Sequence, residues 1–455
     1  MNDEGKRSIL GSIFYAVLWI FGLLLLIYLV YKVGFASLFE SNASEAENKL
    51  DEKEIITEID EEIATAIKAE EAQAAEEALE ELPQEPAEAA VEDETPLDVP
   101  VADANSEQIN SILGQMSTEA KVAQLFFVTP EQLTGVNSAT AFGDMSVTAF
   151  TEHPVGGIIY SGNNFTDPAQ TAEMLSKANS CSTDVTSLPL FIGIDEEGGR
   201  ILKLAENPAF NIEKAPSMAE LSGEGVEDAV YHAADQIGAY LKEYGFNVDF
   251  APVADVLLNP ENTVIGDRSF GGDPDLVSKL SSDYMRGLHN NHILTCYKHY
   301  PGHGATSADS HDSEAISERT LDEIRATELI PFSLGVSAGT DFIMTGHITF
   351  PNIPESEGLP ATLSSYMITD ILRNELGYDG IVITDALNMG AIKNSYGSAD
   401  ASVAAFLAGC DMLLMPEDFE ASYNAILEKV NSGEISEDRL NESVYRIIRS
   451  KLSLG

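Results

Sequence analysis

Three polar strings in the second half of the sequence carry residue types suited to nucleophilic or acid–base chemistry. ITDALNM puts Asp385 directly after the apolar run Gly380-Ile381-Val382-Ile383-Thr384. A carboxylate at the mouth of such a run serves as nucleophile, base, metal ligand or cap of the next helix. DSH puts Asp309 two residues before His311. A carboxylate beside an imidazole raises its pKa and fixes its tautomer, which makes a competent acid/base. Taken alone, the same pair reads as two solvated loop residues. KHYPGHG begins with Lys298 and His299 at the end of another apolar run. Long donors in that place read as facing a ligand rather than the core.

Two more strings lie upstream. DEEGGR runs from Asp195 to Arg200, and IGDRSFG, containing Arg268, follows Asp255. The spacing of His299, His303, Asp309 and His311 matches neither H-E-x-x-H nor a Cys/His site, so no metal and no cofactor is expected. His303 reads as structural, and His347, Met389 and Tyr300 are assigned no role. Cys296 and Cys410 read as small core residues, and Cys181 as a thiol in a polar loop.

The elements that must position these groups repeat one pattern. Eight short apolar runs occur at 124–130, 155–162, 188–195, 246–253, 293–300, 341–348, 379–386 and 411–416. Amphipathic stretches at 228–245, 275–290 and 320–339 read as helices between them. Near-continuous apolar strands alternating with helices imply a parallel sheet covered on both sides. Eight such units predict an α/β fold, a closed (β/α)8 TIM-type barrel, with an open doubly wound sheet as the alternative. No GxGxxG follows the first run, which disfavours a dinucleotide site. In a closed barrel the polar strings share one rim, at the C-terminal ends of the strands.

The chain has 455 residues with 75 acidic and 25 basic side chains, a net charge of −50. That balance excludes nucleic acid as a partner, because binding polyphosphate needs a basic face. Three cysteines exclude a disulfide scaffold. Residues 1–34 are expected to form a short cytoplasmic stub and a transmembrane anchor. From Ser8 to Tyr31 no residue is charged; as a helix this run is roughly 36 Å long, enough to cross a ~30 Å hydrocarbon core. Lys6 and Arg7 precede it and Lys32 follows, which favours a single-pass protein of the cell membrane with its bulk outside the cytoplasm. Residues 35–104 are expected to be an acidic, Ala/Glu/Pro-rich linker. The stretch 40–103 carries a net −20 and no aromatic residue, too little apolar surface to fold alone. Residues 105–455 form the barrel domain.

DEEGGR, IGDRSFG, KHYPGHG, DSH and ITDALNM, in that order, resemble glycoside hydrolase family 3, and the DSH loop resembles its single-domain β-N-acetylglucosaminidase branch. The resemblance covers about 105–455. It implies a retaining exo-hydrolase that removes terminal N-acetylglucosamine, from peptidoglycan fragments or related glycosides, through a covalent glycosyl-enzyme. It also implies a barrel active without the α/β sandwich domain of other members. Asp385 matches the nucleophile, His311 the general acid/base and Asp309 its orienting partner. Asp195, Arg268, Lys298 and His299 match sugar-binding residues; Arg200 matches a supporting one. Ala305 departs from the branch, which carries an acidic residue after GHG. The physics fits this assignment: retention needs a nucleophile and an acid that later acts as base, and imidazole titrates near neutrality. Alternatives are a phosphorylase or β-glucosidase of the same family, a metal hydrolase, and a non-catalytic sugar-binding module.

Overall fold

The computed structural model describes residues 105–223, 228–306 and 315–454. The expected anchor and linker, and the Asp309–His311 pair, lie outside the described residues. Among the described residues no helix is long and apolar enough to cross a membrane.

Eight strands form one parallel sheet: β1 Phe126–Val128, β2 Gly157–Ile159, β3 Phe191–Ile194, β4 Val248–Asp249, β5 Leu294–Tyr300, β6 Phe342–Thr345, β7 Ile381–Thr384 and β8 Leu413–Leu414. Each lies inside one of the eight apolar runs. Neighbours in sequence are neighbours in the sheet, and β1 also pairs with β8. A parallel bridge from Ile383 to Met412 joins β7 to β8, so the sheet nearly closes into a barrel. The open alternative is thereby set aside.

The strands are buried on both faces because rings fill the inside and helices cover the outside. Phe127 stacks on Phe191 at 6.4 Å and meets Phe250 edge-on at 5.2 Å. Gly157 and Gly193 make room for these rings: a Cβ on either would fall within 2.7 Å of Phe127. Lys451, from the last helix, donates to Gln124 Oε1 at 2.9 Å and lies 5.2 Å from the Phe191 ring centre. It closes the N-terminal end of the barrel.

Some helices start at a capping side chain. Asp167 caps Pro168–Thr186 through the amides of Ala169 and Gln170, and Asp273 caps Pro274–His289 through Asp275. The helix expected at 228–245 spans Ala229–Tyr244. The stretch 320–339 instead makes two helices, Leu321–Arg325 and Leu329–Ala338. Pro331 lacks an amide proton and its ring clashes with the preceding turn, so it fits only the first turn of a new helix. Cys181 corrects another expectation. It sits in helix Pro168–Thr186 and is buried, on one face with Met174, Leu175 and Ala178.

Candidate active site

At the C-terminal end of β3 the chain turns into a two-stranded hairpin, Glu196–Gly198 with Ile201–Leu202. The alternation of an extended chain separates three successive carboxylates. Asp195 and Glu197 face the barrel mouth, and Glu196 faces the surrounding helices. Lys298, from β5, sits between the two inward groups. Its Nζ is 2.7 Å from Asp195 Oδ1 and 2.7 Å from Glu197 Oε1. Arg268 grips Glu197 with two bonds, Nε to Oε2 and Nη2 to Oε1, both 2.7 Å.

Glu197, Lys298 and Arg268 are nearly dry. Burial alone would raise the Glu197 carboxyl; Arg268 and Lys298 more than offset it and hold it far below the usual range. Burial alone would lower the Lys298 ammonium, and Asp195 and Glu197 more than offset that. Both groups are therefore charged, and each fixes the other in place.

His299 follows Lys298 on β5. Its Nδ1 is 2.7 Å from Asp255 Oδ2, and the other Asp255 oxygen accepts the amides of His299 and His303. Burial would raise the Asp255 carboxyl, but His299 and then His303 pull it down. Burial lowers the His303 imidazole, and His299 lowers it further. His303 exchanges a bond with the Thr306 hydroxyl at 2.9 Å, which fits its structural reading.

Asp385 follows β7. Its amide donates to Thr345 O at 3.0 Å, and its Oδ1 accepts the Ala386 amide at 2.7 Å. The next helix begins only at Gly390, with Met389 at its cap position, so Asp385 is not a helix cap. His347 is buried and bonds Thr362 and the Ala386 carbonyl, supporting the segment after Asp385 from below.

Asp195, Arg268, Lys298, His299 and Asp385 all line one cavity of about 300 Å³ at the barrel mouth. β3 and β7 are four places apart in the ring of eight, so Asp195 and Asp385 approach from opposite sides. Arg200 stays outside the lining. It pairs with Asp267 at 2.8 Å and donates to the carbonyls of Thr263 and Val264. A larger cavity of about 550 Å³ beside the N-terminal end of β7, lined by Asp379, Arg446 and Arg449 among others, holds none of these groups.

The same wall contains residues that sequence reasoning passed over. Glu197 and Lys203 line the cavity, and so do Met344, Met389, Leu414 and Met415. Glu197 was signalled only by its place two residues after Asp195. Lys203 follows the hairpin with no motif to mark it. The apolar residues carry no chemical signal at all. With Lys203, Arg268 and Lys298 against Asp195, Glu197 and Asp385, the wall bears equal numbers of cations and carboxylates.

Residues 117–450 match the model of the glycosyl hydrolase family 3 N-terminal domain. The chain belongs to glycosyl hydrolase family 3. This family 3 barrel is 32% identical over 324 residues to Beta-hexosaminidase A of Pseudoalteromonas piscicida, covering 67% of this chain and 54% of that one. It is 32% identical over 369 residues to Beta-hexosaminidase LpqI of Mycobacterium tuberculosis, covering 78% and 88%. A solved family 3 β-N-acetylglucosaminidase from Paenibacillus sp. str. FPU-7 superposes with a TM-score of 0.69 at 38% identity. That likeness covers 74% of this chain and 63% of the Paenibacillus chain. The chain thus spans just over half the length of the Pseudoalteromonas relative and nearly all of the mycobacterial one.

For a family 3 barrel the cavity offers one carboxylate at the β7 side and a fixed hydrogen-bonding array at the β3–β5 side.

Proposed function

We propose that this protein is a retaining exo-β-N-acetylglucosaminidase acting on peptidoglycan fragments or related glycosides. The observation that carries the reading is the convergence of Asp385 and the Asp195–Lys298–Glu197–Arg268 array on one cavity. Names of the relatives support it: two are beta-hexosaminidases and a solved neighbour is a β-N-acetylglucosaminidase.

In this reading Asp385 attacks the anomeric carbon of the terminal sugar. The glycosidic C–O bond breaks, and the leaving oxygen takes a proton from His311, which Asp309 orients. Water then attacks the glycosyl-enzyme, gives a proton back to His311, and frees Asp385 with net retention. Asp195 and Lys298 hold the hydroxyls on the far side of the ring, and Arg268 and His299 complete the −1 subsite. The carbon next to the anomeric centre lies near β6–β8. There Met344, Met389, Leu414 and Met415 supply apolar wall for the methyl of a 2-acetamido group.

The domain plan belongs to the same proposal. Residues 1–34 anchor the protein in the cell membrane, 35–104 act as an acidic spacer, and 105–455 carry catalysis outside the cytoplasm. Residues 105–455, incubated with 4-nitrophenyl β-N-acetylglucosaminide, the matching glucoside and defined muropeptides, test the catalytic part. N-acetylglucosamine released from the first and last, with little turnover of the glucoside, is expected. Sugar 1-phosphate appearing on addition of phosphate, or loss of turnover in excess chelator, would point to phosphorolysis or a metal instead.

A further inference from the structure

Asp249, at the end of β4, is fully buried and points away from the barrel axis. Its Oδ1 accepts the main-chain amide of Glu196 at 2.9 Å. Its Oδ2 has no hydrogen-bonding partner among the described residues. Glu196 is held at every polar atom. One carboxylate oxygen accepts the amide of Ala205 and the hydroxyl of Tyr240, at 2.8 and 2.9 Å. The other accepts the amides of Lys203 and Leu204, at 2.5 and 2.9 Å. Its carbonyl accepts the Tyr284 hydroxyl at 3.2 Å.

Asp195 and Glu197 flank this clamped residue, and Lys203 is tied to it, so three residues of the sugar pocket hang on the placing of Glu196. We propose that Asp249 is a positioning residue for substrate binding: through the Glu196 amide it holds the turn that aims Asp195 and Glu197 at Lys298. This rests on the proposed glycosidase reading.

Asp249 does this as the neutral acid. Burial raises its carboxyl well above the ordinary range; the Glu196 amide and Lys298 favour ionisation and the Glu196 and Asp195 anions oppose it, but burial decides the direction. The ionisable groups around it are Asp195 and Glu196 from the β3 turn, Lys298 and Cys296 from β5, and Tyr240 and Tyr284 from the covering helices. Only Lys298 among them is a cation. Ionised Asp249 would add an anion beside Asp195 and compete with it for Lys298. Substrate affinity should therefore weaken at alkaline pH.

The test compares Asp249→Asn and Asp249→Ala with the wild type in 105–455 and in the full chain. KM and kcat for 4-nitrophenyl β-N-acetylglucosaminide, and Kd for N-acetylglucosamine, are read from neutral to alkaline pH. The amide keeps an acceptor and cannot ionise, so Asp249→Asn should match wild type at neutral pH and lose the alkaline rise in KM and Kd. Asp249→Ala leaves the Glu196 amide unpaired and should raise KM about tenfold with a smaller change in kcat. A merely structural role would lower thermal stability and leave KM alone, which overturns the proposal. So does an Asp249→Asn profile identical to wild type, or one as impaired as Asp249→Ala. If Asp249→Ala does not fold, the Asp249→Asn profile decides. A wild type that binds N-acetylglucosamine but turns over no glycoside contradicts the glycosidase reading, while the Kd comparison still judges this one.

Discussion

The Lys298 ammonium lies 2.7 Å from Asp195 Oδ1 while only 2% of the lysine side chain is exposed. A charge this dry is tolerable only because Glu197 shares it on the other side. The two carboxylates therefore differ in task. Glu197 balances the buried cations, and Asp195, about a third exposed, keeps an oxygen available at the cavity.

Substitution should separate those tasks. Asp195→Ala leaves Lys298 paired to Glu197, so melting temperature should hardly move while kcat/KM falls about ten- to a hundredfold. Glu197→Ala strands Lys298 and Arg268 together and should cost about 3–5 kcal/mol of stability. Thermal melts run beside steady-state kinetics distinguish the two.

The proposed acid/base pair, Asp309 and His311, makes a different prediction. Removing the partner that orients His311 should cost roughly 10²-fold in kcat, as loss of general acid–base catalysis typically does. Asp309→Ala and His311→Ala should suffer most on a disaccharide, whose leaving group needs the proton, and less on an activated nitrophenyl glycoside. Equal losses on both substrates would remove the dyad from leaving-group protonation.

Lys451 predicts how stability follows pH. Burial against the barrel floor pulls its ammonium down to about 7. In the unfolded chain it titrates near ~10.4. Between those values the unfolded chain binds the extra proton, so this residue makes the fold more stable as pH rises from about 7 toward ~10. Below about 7 both states are protonated and the cost of burying the ammonium is constant. Lys451→Met should remove that slope, up to ~1.4 kcal/mol per pH unit. Denaturant melts of both proteins at pH 6, 8 and 10 show it as a gap that narrows with pH.

Gly304 gives a steric prediction. A Cβ there would meet the Val256 carbonyl at 1.9 Å, and the Gly304 carbonyl itself accepts the amides of Leu258 and Asn259. Gly304→Ala must push the loops after β4 and β5 apart, which should cost about 1–3 kcal/mol. Arg268 stands on the loop after β4 and His299 next to the end of β5, so KM should rise with the fall in melting temperature.

How legible this was depends on the kind of signal. Strands buried on both faces leave unbroken apolar runs, so all eight were visible, although the paired segments are shorter than the runs. The order of the polar strings placed Asp195, Arg268, Lys298, His299 and Asp385 on one rim, where the cavity gathers them. Glu196 and Glu197 look alike in sequence and are opposite in the fold, because extended chain alternates its faces. Asp249 carries no motif, since its role is set by an amide across the strand gap. Cys181 read as a loop residue because the helix that carries it is polar on its outer face. The break before Leu329 needed the proline to be read as a start rather than as an interior residue.

The central claim is that Asp385 forms a covalent bond to the sugar. Incubation with a slow fluorinated N-acetylglucosaminyl donor, followed by digestion and peptide mass spectrometry, tests it most directly. The account predicts one added glycosyl unit on the peptide containing Asp385, lost in Asp385→Asn. Turnover of that donor with no adduct at 385, and a product of inverted configuration, would contradict it.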